Sequence, residues 1–244
     1  MVSTTGTLAL LHTSPVHVPV FDGLRDRYHP GLVLRHLVDE KLLVRAREAG
    51  PGAVTASVAA VLARAVADGA DAVLCTCSTI GGVAERQAAG LGVPVLRVDR
   101  AIAAEAARYD RIIVVAALRS TVEPTVALIA EESGPGTSFI GTAVMEGAWE
   151  LFEAGDRDGY LDAVAAAVDG APETDGSVVV LAQESMADAV GRMSTRRPVL
   201  AGPRPGLAAA AAAVAAARTR SAGARDRPEG RDPAGAAGPA GRPW

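Results

Sequence analysis

The run Ala72-Val73-Leu74-Cys75-Thr76-Cys77-Ser78-Thr79-Ile80-Gly81-Gly82 holds most of the structural information in this chain. An apolar segment stops abruptly at small polar residues and glycines, and a helical pattern follows. Bounded in this way, the apolar part is predicted to be a buried strand. In a parallel sheet the carboxyl end of such a strand opens into a binding crevice. Both cysteines of the chain lie here, two residues apart, and at that spacing they are poorly placed to bridge each other. Reduced thiols and a cytoplasmic setting are the expectation.

Outward from this run, strand and helix patterns alternate. Upstream, Thr7 to Leu11 reads as a strand ending in His12-Thr13-Ser14-Pro15, Val16 to Tyr28 as a helix, and Leu32 to Val38 as a strand. Asp39-Glu40 opens another helix, where capping is the expected role. A break at Gly50-Pro51-Gly52 precedes a helix over Val54 to Asp68, closed by Gly69. Downstream, a helix is expected over Val83 to Ala89, a strand over Val93 to Val98, a helix over Ala101 to Ala107 and a strand over Arg111 to Ala117. This is the rhythm of a parallel sheet covered on both faces.

The second half repeats the first. Pro124 to Glu132 is predicted helical, Phe139 to Thr142 a strand, Tyr160 to Val168 a helix, and Ser177 to Leu181 a strand ending in Ala182-Gln183-Glu184-Ser185. Met186 to Met193 is predicted to be helix, Pro198 to Leu200 strand, and Gly206 to Arg218 the last helix. Ala72 to Ile80 aligns with Val178 to Met186, and Thr7 to Ser14 roughly with Ile112 to Ser120. Two similar α/β lobes follow, 1–98 with 201–218 and 99–200, with strand ends lining a cleft between them. Residues 219–244, rich in Gly, Pro, Ala and Arg, are expected to be disordered. In this alignment Gln183 is the counterpart of Cys77.

With 244 residues and 49% hydrophobic content but only 3% aromatic, the core is built from Ala, Val and Leu. The formal net charge of −4 offers no surface for nucleic acid, and no apolar run approaches the ~18 residues of a membrane span. No leader is expected before Leu8, and no GxGxxG or GxxxxGK[ST] loop occurs in the sequence.

Cys77 is the leading candidate for chemistry. A thiol acts as base or nucleophile only as thiolate, and peptide N–H groups at a helix start favour negative charge. Those groups, with the hydroxyls of Ser78 and Thr79, suit a carboxylate. Cys75, inside the strand beside Leu74, is expected to be an inert buried residue. Thr13-Ser14 and Ser120-Thr121 end the first strands of the two lobes and form a pair of hydroxyl clusters, suited either to an acid gripped from both lobes or to ordinary capping. Glu184 is a possible base, although a solvent-facing glutamate at a helix start is the commoner case. Ser185 stands beside it. His12, at a strand end, is within reach of the cleft. His17, His29 and His36 lack metal-ligand spacing, and no metal is expected.

The segments LALLHTSPVHVPVF, RHLVDEKLL, ADAVLCTCSTIGG, VPVLRVD, VVAALRSTVEPT and VVVLAQESMA together resemble the aspartate/glutamate/hydantoin racemase superfamily over residues 7 to about 217. The resemblance implies two Rossmann-like lobes with parallel sheets, related by a pseudo-twofold, and an active-site cleft between them. It also implies cofactor-independent chemistry in which a cysteine from each lobe flanks the substrate carbon. Cys77 matches the first of these, with Ser78-Thr79 in place of the usual Asn-Thr. Where the second cysteine is usual, the chain reads Ala182-Gln183-Glu184. Glutamine cannot exchange a proton near neutral pH, so the symmetric mechanism is closed. The expected function is a racemase-like isomerase acting through Cys77 on a small carboxylate of amino-acid or dicarboxylate type. Gln183 would hydrogen-bond the substrate, and Thr13, Ser14, Ser78, Thr79, Ser120 and Thr121 would hold its oxygens. A single-cysteine decarboxylase of a malonate-type acid, or a non-catalytic carboxylate-binding protein, is the alternative. The expected partner is that small acid, with no nucleic acid and no membrane, and a homo-oligomer is compatible with the chain.

Overall fold

The computed structural model describes residues 6–134, 139–172 and 175–225. The first lobe contains β1 (Thr7–His12), α1 (Val18–Tyr28), β2 (Val33–Val38), α2 (Glu40–Ala49), α3 (Thr55–Ala67), β3 (Ala72–Cys75), α4 (Ser78–Glu85), α5 (Ala88–Leu91) and β4 (Val95–Arg97). Then follow α6 (Arg100–Ala106), β5 (Arg111–Ala116), α7 (Arg119–Ser133), β6 (Phe139–Val144), α8 (Ala148–Glu153), α9 (Arg157–Asp169), β7 (Ser177–Leu181), β8 (Val199–Leu200) and α10 (Pro203–Arg225). The strands form two four-stranded parallel sheets, ordered β2-β1-β3-β4 and β6-β5-β7-β8.

The central strands are buried end to end because helices cover both faces. Alternate residues of a strand point to opposite faces. Ala9, Leu11, Val73 and Cys75 thus meet α2, α3 and α4, whereas Leu8, Leu10, Ala72 and Leu74 meet α1 and α10. In the second sheet, Ile112, Val114, Val178 and Val180 pack on α6 and α7, and Val115, Val179 and Leu181 on α8 and α9.

The two halves are equivalent down to strand register. Leu8 pairs with Ala72 as Ile112 pairs with Val178, and Val73 with Val95 as Val179 with Val199. After its fourth strand each lobe sends a helix onto the other sheet. Ile102, Ala103 and Ala106 of α6 join the second core, and Leu207, Ala210 and Val214 of α10 join the first. The two crossing segments touch: a Cβ on Gly206 would stand 2.5 Å from the carbonyl oxygen of Val98, a clash that only glycine avoids.

Several boundaries differ from the sequence reading. The helix after β3 starts at Ser78, directly behind Cys77, not at Val83. The helix after β5 starts at Arg119, because Pro124 near its head deprives only the Ser120 carbonyl of a partner. The stretch predicted as helix over Met186 to Met193 is a 3-10 helix, Glu184–Arg192, tightened by Met186 N–H to Gln183 O and Met193 N–H to Val190 O. The last helix continues through 219–225, assigned in the sequence reading to a disordered tail. Its hydroxyls at Thr219 and Ser221 bond back to the carbonyls of Ala215 and Ala217. The remaining tail, 226–244, lies outside the described residues. None of the helices among the described residues is long and apolar enough to cross a membrane.

Candidate active site between the lobes

All four central strands end at the cleft. Thr13 follows β1, Thr76 and Cys77 follow β3, Ala117 and Leu118 follow β5, and Ala182 and Gln183 follow β7. The lobes touch here: the Ser78 hydroxyl donates to the Ala182 carbonyl at 2.9 Å. Beside this bond lies a cavity of about 40 Å³, lined by Thr13, Cys77, Ser78, Thr79, Thr121, Gln183, Glu184 and Ser185 among others. Ser14 and Ser120, offered by the sequence alongside these, do not line it. The register explains their absence. The β1 and β5 pairings place Thr7 over Arg111 and His12 over Ala116, so Thr13 faces the position of Ala117, and the two hydroxyl pairs are not equivalent. Thr121 turns its hydroxyl back onto the Leu118 carbonyl at 2.7 Å, a local bond to the backbone of its own turn.

Cys77 precedes the first turn of α4 in extended conformation, φ −108° and ψ 114°. The Thr13 hydroxyl, the Ile80 and Thr79 amides and the Thr79 hydroxyl lie near its thiol, and each favours the thiolate. Burial outweighs them and pushes the thiol above its ordinary range, so the resting group is protonated. The Thr79 hydroxyl is buried and has no hydrogen-bond partner within the protein. Cys75 is fully buried against the first core, and burial raises it too.

Gln183 fills its own half of the site. Its Oε1 accepts from the Ala117 N–H at 2.6 Å and the Leu118 N–H at 3.0 Å. These are the amides that would otherwise face a ligand at the head of α7. The atom accepting two N–H groups must be the oxygen, so the NH2 end is the one left for a ligand. Ser185 is likewise engaged, 2.7 Å from the Tyr160 hydroxyl.

Glu184 does not face solvent, as glutamates at helix starts commonly do. It is 7% exposed, and a Cβ on Gly202 would fall on its Oε1. Its Oε2 has no partner. Burial, then the charge of Asp99, raises its acid well above the ordinary range, so it is a neutral carboxylic acid. Asp99 itself is held by a buried two-point pair with Arg97, 2.7 Å at each contact. His12, expected within reach of the cleft, is fully buried behind it as the last residue of β1.

The cavity has further walls that the sequence reading missed: His17, Leu43, Thr76, Leu118 and Trp149. Leu43 and Trp149 come from opposite lobes, α2 and α8, and the second of these helices was not predicted. The signal available for Trp149 was its rarity, one of two tryptophans, beside the loop after β6. His17 is neutral, lowered to about 4 by burial and by the nearby Arg157. No lysine or arginine lines the cavity. Among the described residues, no group of three His, Cys, Asp or Glu is placed to hold a metal ion.

No family model and no curated protein matches the chain. Solved structures do. Glutamate racemase from Francisella tularensis in complex with D-glutamate superposes with a TM-score of 0.64 at 10% identity, over 83% of this chain and 78% of that one. Glutamate racemase from Thermus thermophilus gives 0.57 at 20% identity, over 94% and 86%. Arylmalonate decarboxylase gives 0.54 at 19% identity, over 85% and 92%. The chain has the two-lobed α/β fold of these proteins.

Proposed function

We propose that this chain is a cofactor-independent, racemase-like enzyme that transfers a proton at the carbon next to the carboxylate of a small acid, with Cys77 as the only thiol in the reaction. The observation that carries this reading is the asymmetry of the cleft. A thiol surrounded by donors stands at the head of α4, and its counterpart Gln183 is tied into its own lobe. With no cation in the lining, the substrate carboxylate is held by the α4 amides and the Thr13 and Thr79 hydroxyls. The same donors stabilise the enediolate that forms when the α-carbon loses its substituent.

Among the described residues, three titratable side chains line the cavity: Cys77, His17 and Glu184. Glu184 is a neutral acid and cannot accept a proton. His17 is a neutral imidazole and can. In the isomerase reading, His17 takes the α-proton and Cys77 delivers its own to the carbon. The imidazolium then returns a proton to the thiolate. The second reading is decarboxylation of a malonate-type acid: carbon dioxide leaves, Cys77 protonates the enediolate on one face, and water restores the thiol. One observation favours it: His17, the base that the isomerase reading requires, is lowered to about 4, and decarboxylation needs no base.

Incubating amino acids and substituted malonates in deuterium oxide tests both. Wild type is expected to place one deuterium on the α-carbon of its substrate, and carbon dioxide release tells the two reactions apart. Cys77→Ala is expected to lose at least about a hundredfold of that rate. His17→Ala should stop exchange in the isomerase reading and leave decarboxylation running. Equal activity in wild type and Cys77→Ala overturns the proposal, and so does binding with neither exchange nor carbon dioxide release, which leaves a carboxylate-binding protein.

A further inference from the structure

Two histidines, His12 and His36, lie behind the site, and a chain of hydrogen bonds runs from them to the residue before Cys77. Thr76 is fixed twice to β1: its N–H donates to the Leu11 carbonyl at 3.0 Å, and its hydroxyl reaches the same carbonyl at 3.1 Å. His12 Nδ1 lies 2.8 Å from that hydroxyl, and Nε2 lies 2.8 Å from His36 Nδ1. His36 Nε2 in turn stands 3.4 Å from Asp22 Oδ1, at the surface. With the Thr76 proton on the Leu11 carbonyl, His12 donates through Nδ1 and accepts from His36 Nδ1 at Nε2, so each of the three contacts from the Leu11 carbonyl to His36 has one donor and one acceptor.

The His12 ring is also clamped by its neighbours. His36 stacks on it at 5.1 Å between centroids, Phe21 leans on it at 5.6 Å, and His17 stacks at 6.3 Å. The ring is fully buried. A buried imidazole with both nitrogens in short hydrogen bonds is held more firmly than packing alone requires. The next residue after Thr76 is the thiol.

We propose that His12 is a positioning residue of this site: through Thr76 it fixes the end of β3 and so the direction in which Cys77 enters the cavity, with His36 and Asp22 holding the imidazole from behind. The inference takes Cys77 as the reactive group from the reading above. His12 does not line the cavity; it reaches Cys77 through Thr76, and its ring also stacks on His17.

The test is the rate at which iodoacetamide alkylates Cys77 in the full chain, followed from pH 6 to 10 and located by fragmentation of the peptide. Cys75, two residues upstream and fully buried, is the internal control. The titratable groups facing His12 are His36 and His17, with Asp22 and Arg157 beyond them. Thr76→Val, which keeps the shape and loses the hydroxyl, and His12→Phe, which keeps a ring and loses both hydrogen bonds, should each free the thiol. Its alkylation is expected to rise by about fivefold, the equivalent of one hydrogen bond, and the midpoint of its pH profile to fall toward that of an ordinary thiol. Cys75 should stay protected. His12→Asn, which retains a donor near Nδ1, should return both rate and midpoint close to wild type.

Unchanged Cys77 alkylation in folded Thr76→Val overturns the proposal, and that variant carries the test alone if His12→Phe does not fold. So does a rise in Cys75 and Cys77 together, which marks general loosening, or an Asn variant no better than Phe. The measurement needs no substrate. If Cys77→Ala leaves proton exchange untouched, the catalytic reading falls and the positioning of Cys77 by His12 still stands or fails on its own result.

Discussion

Gln183 is the residue on which the two halves part ways. Its carboxamide oxygen satisfies two buried amides, so removing it exposes a cost that its surface chemistry does not suggest. Gln183→Leu keeps the volume and orphans the Ala117 and Leu118 N–H groups, which should destabilise the protein by about 1–3 kcal/mol in urea unfolding. Glu184 makes an opposite kind of demand. Its acid is raised in the folded state, so the protein binds its proton more tightly than the unfolded chain does, and stability must fall as pH rises above the ordinary glutamate value of 4.5. Glu184→Gln is expected to flatten the unfolding free energy between pH 7 and 8, above the range in which the buried histidines change it. An unchanged slope would mean that the carboxyl is not buried as described. Gly202→Ala should cost about 1–3 kcal/mol by driving a methyl group onto that same carboxyl, and most of the loss should vanish when Glu184 is also replaced by alanine.

Among the elements, the junction of β3 with α4 and the grip on α4 from the other lobe matter most. Arg100 of α6 holds Glu85 of α4 at 2.5 Å, Glu131 of α7 at 3.0 Å, and also Glu132. One guanidinium thus gathers three carboxylates from two helices, one in each lobe. Arg100→Ala leaves the carboxylates facing one another, and because they are partly exposed the expected loss is modest, about 1 kcal/mol. Chemical unfolding at low and high salt checks it, as the deficit should shrink when the charges are screened. The β–α alternation and the central strands were legible in the sequence, because apolar runs cut off by small polar residues leave few alternatives. The start of α4 was not, since Ser78 to Gly82 carries no strong helix former, and tertiary packing of Ile80, Val83 and Ala84 into the first core winds it. The short α8 was missed for the same reason, and with it the tryptophan wall of the cavity.

At the scale of the whole molecule, two lobes joined by crossing segments frame a partly open cavity of about 40 Å³. The lobes are tied to each other by Ser78 to Ala182 and by Arg47 of α2 to Glu153 of α8, 3.3 Å apart. The buried histidines give the fold its acid limit. His12 and His17 are lowered from 6.5 to about 3 and about 4, so the unfolded chain takes up protons that the native state refuses. Stability should fall as pH drops below 6.5, by up to about 1.4 kcal/mol per unit for each ring, and a urea series from pH 7 to 4 would show it.

By itself the sequence determined the parallel α/β lobes, their repetition, and the pairing of Cys77 with Gln183, because these follow from apolar periodicity and element order along one chain. Only the tertiary structure decided what those residues face. That Gln183 is spent on its own lobe, that Glu184 is a buried neutral acid against Gly202, and that His12 stands behind Thr76 all depend on backbone groups and side chains far apart in sequence. Burial and hydrogen bonding at such contacts set the state of each group, and neither is encoded in the local pattern of residues around it.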